Sequence, residues 1–97
     1  MVRSLFHPEA QAEYEEAIAW YQLRSPQASM RFEAEVEHLI RVIENNPEIF
    51  PKYDDLHRYA SLRRFPYSVV YQHWLGRIYV IGVAHTSRLP GYWQNRT

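Results

Sequence analysis

Two segments in the first half of the chain carry apolar residues with the period of an α-helix. Between Pro8 and about Arg24, apolar side chains recur on one face of a 3.6-residue repeat. These are Ala10, Tyr14, Ala17, Ile18 and Tyr21. A second helix is predicted from Pro26 to about Glu44, because Ser25 can cap it and proline suits its first turn. Its apolar positions are Phe32, Val36, Leu39, Ile40 and Ile43. The short turn between the segments predicts an antiparallel helical hairpin.

The opposite face of the first helix is acidic. It carries Glu9, Glu13, Glu15 and Glu16. Carboxylates near the start of a helix complement the positive end of its dipole. We therefore interpret them as a solvated face rather than as paired groups for acid–base catalysis.

The remaining apolar runs are short and rich in β-branched and aromatic residues, which is typical of strands. One run, Val2–Phe6, stops at His7-Pro8 before the first helix. Three more follow a connection over Pro47–Asp55, where Ile49 and Phe50 are expected to lie under the helices. Their ranges are Arg58–Phe65, Tyr67–Trp74 and Arg77–His85. Pro66 and Leu75-Gly76 leave only short turns between them, so the three runs predict an antiparallel meander.

The predicted fold is α+β, with the order β-α-α-β-β-β and a helical hairpin packed on a small, mostly antiparallel sheet. The last run is apolar on both faces until it ends, so we expect it to be a central strand covered on one side by the helices. Alternation in the run that contains Arg63 and Arg64 predicts a cationic face. The length of 97 residues fits one domain over 1–97.

Composition narrows the class of protein. A hydrophobic content of 46 % with 23 % charged residues is that of an ordinary globular protein. No apolar stretch approaches the roughly 20 residues of a transmembrane helix, and no signal peptide is recognisable, so we expect a cytoplasmic protein with no membrane contact. Cysteine is absent, which excludes disulfides and thiolate sites.

The formal charge of zero conceals a division between the halves of the chain. All eleven acidic residues lie at or before Asp55 beside five basic ones, which gives a net charge of −6. The remaining residues hold six arginines and no acid, which gives +6. This asymmetry indicates a polyanion or an acidic protein as a partner of the second half. Alternatively, the two halves complement each other within one fold.

Common catalytic signatures are missing from the sequence. The three glycines are isolated, and the five histidines form neither an HExxH motif nor a close pair. We therefore predict no metal and no cofactor. His85, Arg88 and Tyr92 remain as candidate catalytic residues, since arginine can neutralise phosphate while histidine or tyrosine moves a proton in RNA cleavage. Candidates for binding nucleic acid or a partner protein are Arg58, Arg63, Arg64, Trp93 and Arg96.

Each candidate also has a structural interpretation. His85 can be a strand-end histidine that a backbone group satisfies. Arg63 and Arg64 can pair with helix glutamates, whereas Arg88 and Arg96 can be exposed or bind a partner's carboxylates. Trp93 can pack the end of the chain against the body of the protein.

Several motifs resemble those of the RelE/ParE superfamily of toxins from bacterial toxin–antitoxin modules. They are HPEA, AxAWY, the RF and ENNP of the second helix, RRFPYSVVY and IYVIGVAHTSRLPGYW. The resemblance runs from about Phe6 to Arg96. It implies the β-α-α-β-β-β fold and a cognate antitoxin whose acidic, poorly folded segment wraps and neutralises the toxin.

The resemblance implies two possible targets. Members similar to ParE bind DNA gyrase, and members similar to RelE cleave messenger RNA in the ribosome. Aligned on FPYSVVY, the arginine positions of the RNA-cleaving members hold Ser68 and Thr86, with Arg88 two residues later, and only Tyr92 stands where a functional tyrosine is expected. We therefore expect a toxin that binds a protein such as gyrase. The alternatives are a metal-independent endoribonuclease and a non-toxic interaction module.

Overall fold

Secondary structure follows the predicted order β-α-α-β-β-β. The computed structural model describes residues 3–97, so the predicted strand residue Val2 lies outside the described residues. The elements are β1 (Arg3–Phe6), α1 (Pro8–Arg24), α2 (Pro26–Asn45), β2 (Arg58–Ser61), β3 (Tyr67–Trp74) and β4 (Arg77–His85). Neither described helix has the length and apolar character needed to cross a membrane.

A single residue joins the two helices, and it serves both of them. The Ser25 N–H donates to the Tyr21 carbonyl at the end of α1 (2.7 Å), while the Ser25 Oγ accepts the Ala28 N–H at the start of α2 (3.2 Å). This confirms the predicted cap, whose loss typically costs about 1 kcal/mol. At the start of α1, the Nδ1 of His7 accepts the Glu9 N–H (3.0 Å), so a histidine that the sequence analysis left unassigned is the N-cap.

The four strands form one sheet in the order β1-β4-β3-β2. Strand β1 pairs parallel with β4, and the other pairs are antiparallel. Strand β4 is therefore internal, as predicted. Leu75 and Gly76 both have positive φ, 49° and 71°, which is the conformation of a two-residue hairpin turn between β3 and β4.

Strand β2 ends at Ser61, four residues earlier than predicted. The chain bends over residues 63–66, where Pro66 lacks the N–H needed for a ladder bond, and Leu62 makes the last bond of this hairpin to the Tyr67 carbonyl (2.9 Å). The predicted cationic sheet face is therefore wrong. Arg63 and Arg64 belong to the bend instead of to a strand.

The helices cover one face of the sheet. Phe32 and Val36 of α2 are fully buried there, together with Tyr71, Ile78 and Val80 of the central strands. Burial of each such side chain stabilises the fold by roughly 1.5–3 kcal/mol. The predicted apolar stripes of both helices contribute to this core.

The connection between α2 and β2 only partly follows the prediction. Phe50 is half-buried and packs edge-on against Tyr71, with ring centroids 6.5 Å apart. Ile49 is 65 % exposed, so its expected position under the helices is wrong. Its N–H donates to the Asn46 carbonyl (3.3 Å), and this tight turn directs the side chain into solvent.

A bulge in β4 changes which residues face the helices. The register with β3 shifts between Val70 and Tyr71 and leaves Ile81 as an extra residue. Val80 and Val83 pack in the helix-side core, whereas Ile81 packs on the outer face. The bulge thus provides an apolar platform on the outer face for the end of the chain.

Candidate functional site

The last residues of the chain, 86–97, form a C-terminal tail that crosses the outer face of the sheet. Trp93 anchors it and is only 4 % exposed. Its ring packs against Val70 and Ile81, with centroids 4.8 Å from Tyr53 and 4.7 Å from His57. Little of the Trp93 ring is therefore accessible to a partner.

The tail also completes an edge of β4 that β1 does not reach. Strand β1 follows β4 only as far as Val80. Beyond that point the Ile81 carbonyl accepts a bond from the Arg96 Nη1 (2.9 Å), and the Val83 N–H donates to the Glu13 Oε1 (3.0 Å). Two side chains thus satisfy backbone groups that a longer β1 would have paired.

Glu13 and Arg96 form a bidentate ion pair, with two N–O distances of 2.9 Å. Their side chains are 13 % and 11 % exposed. The Tyr92 hydroxyl donates to the same carboxylate (2.6 Å). The interpretation of Glu13 as part of a solvated acidic face is therefore wrong. The candidate catalytic residue Tyr92 therefore has a carboxylate partner, which lies in α1, 79 positions earlier in the chain.

This environment shifts the pKa of all three groups. Burial acts to raise the pKa of Glu13, but hydrogen bonds from Arg96, Tyr92 and the Val83 N–H lower it below its ordinary value. Burial and the bond to Glu13 raise the pKa of Tyr92. The bond to Glu13 raises the pKa of Arg96. At neutral pH, Tyr92 is therefore a protonated donor engaged by Glu13, which makes it a poor general base.

His85 and Arg88 lie where β4 meets the tail. The Nδ1 of His85 accepts the Ser87 N–H (3.0 Å). The other ring nitrogen, Nε2, takes no part in this turn. Its ring packs edge-on against Tyr67 at 5.0 Å. Arg88 is exposed and stacks over the Tyr92 ring at 3.8 Å. The cluster therefore presents one exposed cation, Arg88, beside a histidine oriented by its own turn.

His85 and Arg88 also line a groove of about 350 Å³ between α1 and the sheet. Trp20, which is 49 % exposed, and Tyr67 contribute aromatic surface to it, and Glu16 contributes a carboxylate. Tryptophan, tyrosine and arginine are the residues that most often anchor protein interfaces. We refer to this surface as the aromatic groove.

The other arginines predicted to bind a partner are placed differently. The Nη1 of Arg58 donates to the carbonyls of Phe50 (2.7 Å) and Glu48 (3.1 Å) and so holds the connection before β2. Arg63 donates its backbone N–H to the Glu35 carboxylate. Within the described residues, no carboxylate forms a salt bridge with the guanidinium of Arg63 or Arg64, so the alternative interpretation of these arginines as ion-pair partners of helix glutamates is wrong.

A second carboxylate that the sequence analysis did not select also holds the tail. Asp54 accepts bonds from the His57 Nδ1 (2.8 Å) and from the Gln94 Nε2 (2.9 Å). Burial opposes ionisation, but bonds from Gln94, His57 and the Leu56 N–H lower the pKa of Asp54 to about 2. The spacing of Asp54 and His57 is a local signal for this pair, whereas nothing near Asp54 indicates Gln94.

Residues 3–97 contain no cluster of three or more His, Asp or Glu side chains arranged to hold a metal ion. The candidate site consists of the Glu13–Tyr92–Arg96 cluster, of exposed Arg88 with His85, and of the aromatic groove beside them.

Comparison with known proteins bears on this arrangement. The sequence model of a protein family, the ParE toxin of type II toxin–antitoxin system, parDE, matches residues 5–90 of the chain. A solved structure of the chromosomal ParDE toxin–antitoxin system from P. aeruginosa superimposes with a TM-score of 0.75 at 13 % identity. The match covers 88 % of this chain and 96 % of that chain. At this identity, the likeness shows a shared fold alone. No curated protein sequence matches the chain.

Proposed function

The chain belongs to the ParE toxin family of type II toxin–antitoxin systems, and from this we propose that it inhibits growth by binding an essential protein such as DNA gyrase. A cognate antitoxin neutralises it, and both interactions take place in the cytoplasm. The observation that carries the choice of binding over catalysis is that Glu13 engages both Tyr92 and Arg96.

Cleavage of RNA without a metal requires a group that removes the 2′-hydroxyl proton and cations that stabilise the phosphate. The Tyr92 hydroxyl already donates to Glu13, and the charge of Arg96 is neutralised by the same carboxylate. His85 and Arg88 are left, and within residues 3–97 the hydrogen bonds of the His85 ring go to Ser87 and not to a carboxylate. The cluster therefore supports a structural role for the tail better than a ribonuclease site.

The aromatic groove supports a binding role. Trp20 is half-exposed on α1, Arg24 stacks over its ring at 3.6 Å, and Arg88 lies across the groove on the tail. A partner that buries Trp20 gains a large apolar contact, and the arginines supply polar contacts around it. We propose this groove as the surface that meets the target.

Regulated expression in a bacterial host without the antitoxin tests the proposal. We expect growth arrest with filamentation and DNA breaks while transcripts stay intact, and we expect the purified protein to inhibit supercoiling by gyrase. Trp20→Ala should weaken both effects at least tenfold, because a hot-spot aromatic contributes about 2 kcal/mol or more to binding. Trp74→Ala is the matched control, since Trp74 is 62 % exposed on β3, outside the groove.

Two results would overturn the proposal. Cleaved transcripts with intact DNA, abolished by His85→Ala, would make the protein an endoribonuclease. Normal growth at a verified level of folded protein would make it a non-toxic interaction module.

A further inference from the structure

A second groove lies between α2 and the bend that joins β2 to β3. Its volume is about 620 Å³, and among the described residues its lining shares none with the aromatic groove. Arg31, Glu35 and His38 line one wall, because residues spaced by three and four positions share a helix face. The other wall is the chain at the bend, where the Arg63 backbone N–H donates to the Glu35 carboxylate. We call this surface the basic groove.

The basic groove carries positive charge that is unpaired within residues 3–97. Arg31, Arg63 and Arg64 are exposed, and none of them forms a salt bridge in this part of the chain. Glu35 is the acidic side chain of the described lining, and its carboxylate already accepts the Arg63 N–H. Three guanidinium groups and one carboxylate leave a net charge of +2. An exposed concave surface with this charge favours an anionic ligand.

The side chains of the lining supply mainly hydrogen-bond donors. Arginine carries N–H donors and no acceptor, and the exposed side chains of His38 and Ser61 can donate as well. Phosphate is the complementary group, because its terminal oxygens accept and a guanidinium binds two of them at once. A peptide segment is less suited, since each of its residues also brings a backbone N–H that needs an acceptor.

We propose that the basic groove binds the di- or triphosphate chain of a small phosphorylated metabolite, such as a nucleoside triphosphate. Linked phosphates concentrate several negative charges over a short length, so the arginines of both walls share them. The volume also lies within the roughly 300–1,000 Å³ of small-molecule sites. The site is separate from the surface proposed to meet the target, so it does not depend on toxicity.

The floor of the basic groove is apolar and held in place by the core. Leu39 and Phe65 are half-buried and pack against the main core. The Phe65 ring lies edge-on to Phe32, with centroids 5.3 Å apart, and to Tyr21 at 5.0 Å. The floor is therefore formed before any ligand binds. A nucleoside would cover it, so we expect ATP to bind more tightly than inorganic tripolyphosphate.

Calorimetry of the purified full chain with ATP tests the proposal on two doubly substituted proteins. Arg63→Gln with Arg64→Gln removes two charges from the basic groove, and Arg41→Gln with Arg77→Gln removes two exposed charges outside its lining. The groove variant should bind ATP at least about tenfold more weakly than the control variant, because each lost charge-assisted hydrogen bond weakens binding by about that factor. Circular dichroism confirms that both variants are folded.

Ligands of different composition show which part of the nucleotide is recognised. AMP has a single phosphate and should bind at least about tenfold more weakly than ATP. Inorganic tripolyphosphate should require the same arginines as ATP. If its affinity equals that of ATP, the site recognises the phosphate chain alone, and the expected contact of a nucleoside with Leu39 and Phe65 is wrong.

Hydrogen exchange locates the site independently of the variants, because amides near Leu39 and Phe65 should gain protection in ATP. Protection confined to other surfaces would overturn the inference. So would a lack of binding at millimolar ATP, equal affinities of the two variants for ATP, or an affinity for AMP that matches the affinity for ATP. A single-stranded oligouridylate that displaces ATP and binds more tightly through Arg63 and Arg64 would assign the groove to a nucleic acid instead.

Discussion

Each carboxylate oxygen of Glu13 lies 2.9 Å from a guanidinium nitrogen of Arg96, although the two residues are 83 positions apart in the chain. The pair lies at the edge of β4, beyond the last residue of β1, and bonds to backbone groups on that edge. Strand β1 and the Glu13–Arg96 pair therefore cover successive parts of the same edge. This relationship makes the tail part of the fold.

Removing either charge of the pair should destabilise the protein. Glu13→Gln or Arg96→Gln should each lower the free energy of unfolding by about 2–4 kcal/mol, because the remaining charge is largely buried without a counter-charge. Urea unfolding at neutral pH measures this. Glu15→Gln, an exposed position on the same helix, should change it by less than about 0.5 kcal/mol. Strictly additive losses in the double variant would show that the two side chains do not interact.

The Tyr92 hydroxyl should matter for stability and not for toxicity. Tyr92→Phe removes a hydrogen bond to a carboxylate, so the free energy of unfolding should fall by about 1.5–3 kcal/mol. Growth inhibition at equal levels of folded protein should persist, since the proposed binding role does not use the hydroxyl. A folded Tyr92→Phe protein without toxicity would instead support a catalytic tyrosine.

Acid should destabilise the protein, because it protonates the carboxylates that hold the tail. Folding lowers the pKa of Asp54 from 3.8 to about 2 and also lowers the pKa of Glu13. The stability that such carboxylates contribute is complete above their unfolded pKa and is lost as pH falls through the folded value. We expect stability to decline below about pH 4, measured by urea unfolding at several pH values. Asp54→Asn should flatten this decline, and an unchanged acid profile would contradict the assignment.

Two glycines of the same region should respond differently to substitution by alanine. Gly91 has a φ of 81°, and a Cβ there would lie 2.7 Å from the Gln94 Oε1 and 2.9 Å from the Tyr53 hydroxyl. Gly91→Ala should therefore reduce the free energy of unfolding by about 1–3 kcal/mol. Gly82→Ala is the control, because its Cβ would meet its nearest neighbours at 3.6 Å, an ordinary contact. Thermal unfolding of both proteins decides, and equal stabilities would contradict the expected strain at Gly91.

The helices and most of the sheet were predictable because their signals are local. Ser25 and Pro26 mark the junction of the helices within two residues, and the apolar stripe of each helix is visible within a few turns. Leu75-Gly76 marks a hairpin in the same way. The end of β2 was missed, because a bend that still carries apolar and aromatic residues reads like a continued strand. The ladder ends there because the chain bends over residues 63–66 and Pro66 has no N–H to donate.

The candidate site was less predictable, because its bonds join distant parts of the chain. Glu13 has the spacing of an exposed helix position, and only the return of Arg96 and Tyr92 makes it a buried partner. Likewise, the sequence around Arg58 indicates an exposed cation, whereas in the structure its guanidinium donates to the carbonyls of Phe50 and Glu48. Sequence patterns report which face of an element is apolar, and they do not report which polar residue a distant segment will cover.

The pairing of Glu13 with Arg96 has a consequence for the exchange of segments between relatives. A recombinant whose last residues come from a relative with a residue other than arginine at position 96 would leave Glu13 without its partner. The first helix and the tail therefore have to be exchanged together, although almost the whole chain separates them. Chimeras that transfer both segments should fold. In chimeras that transfer only one of them, the tail should no longer pack on the outer face of the sheet.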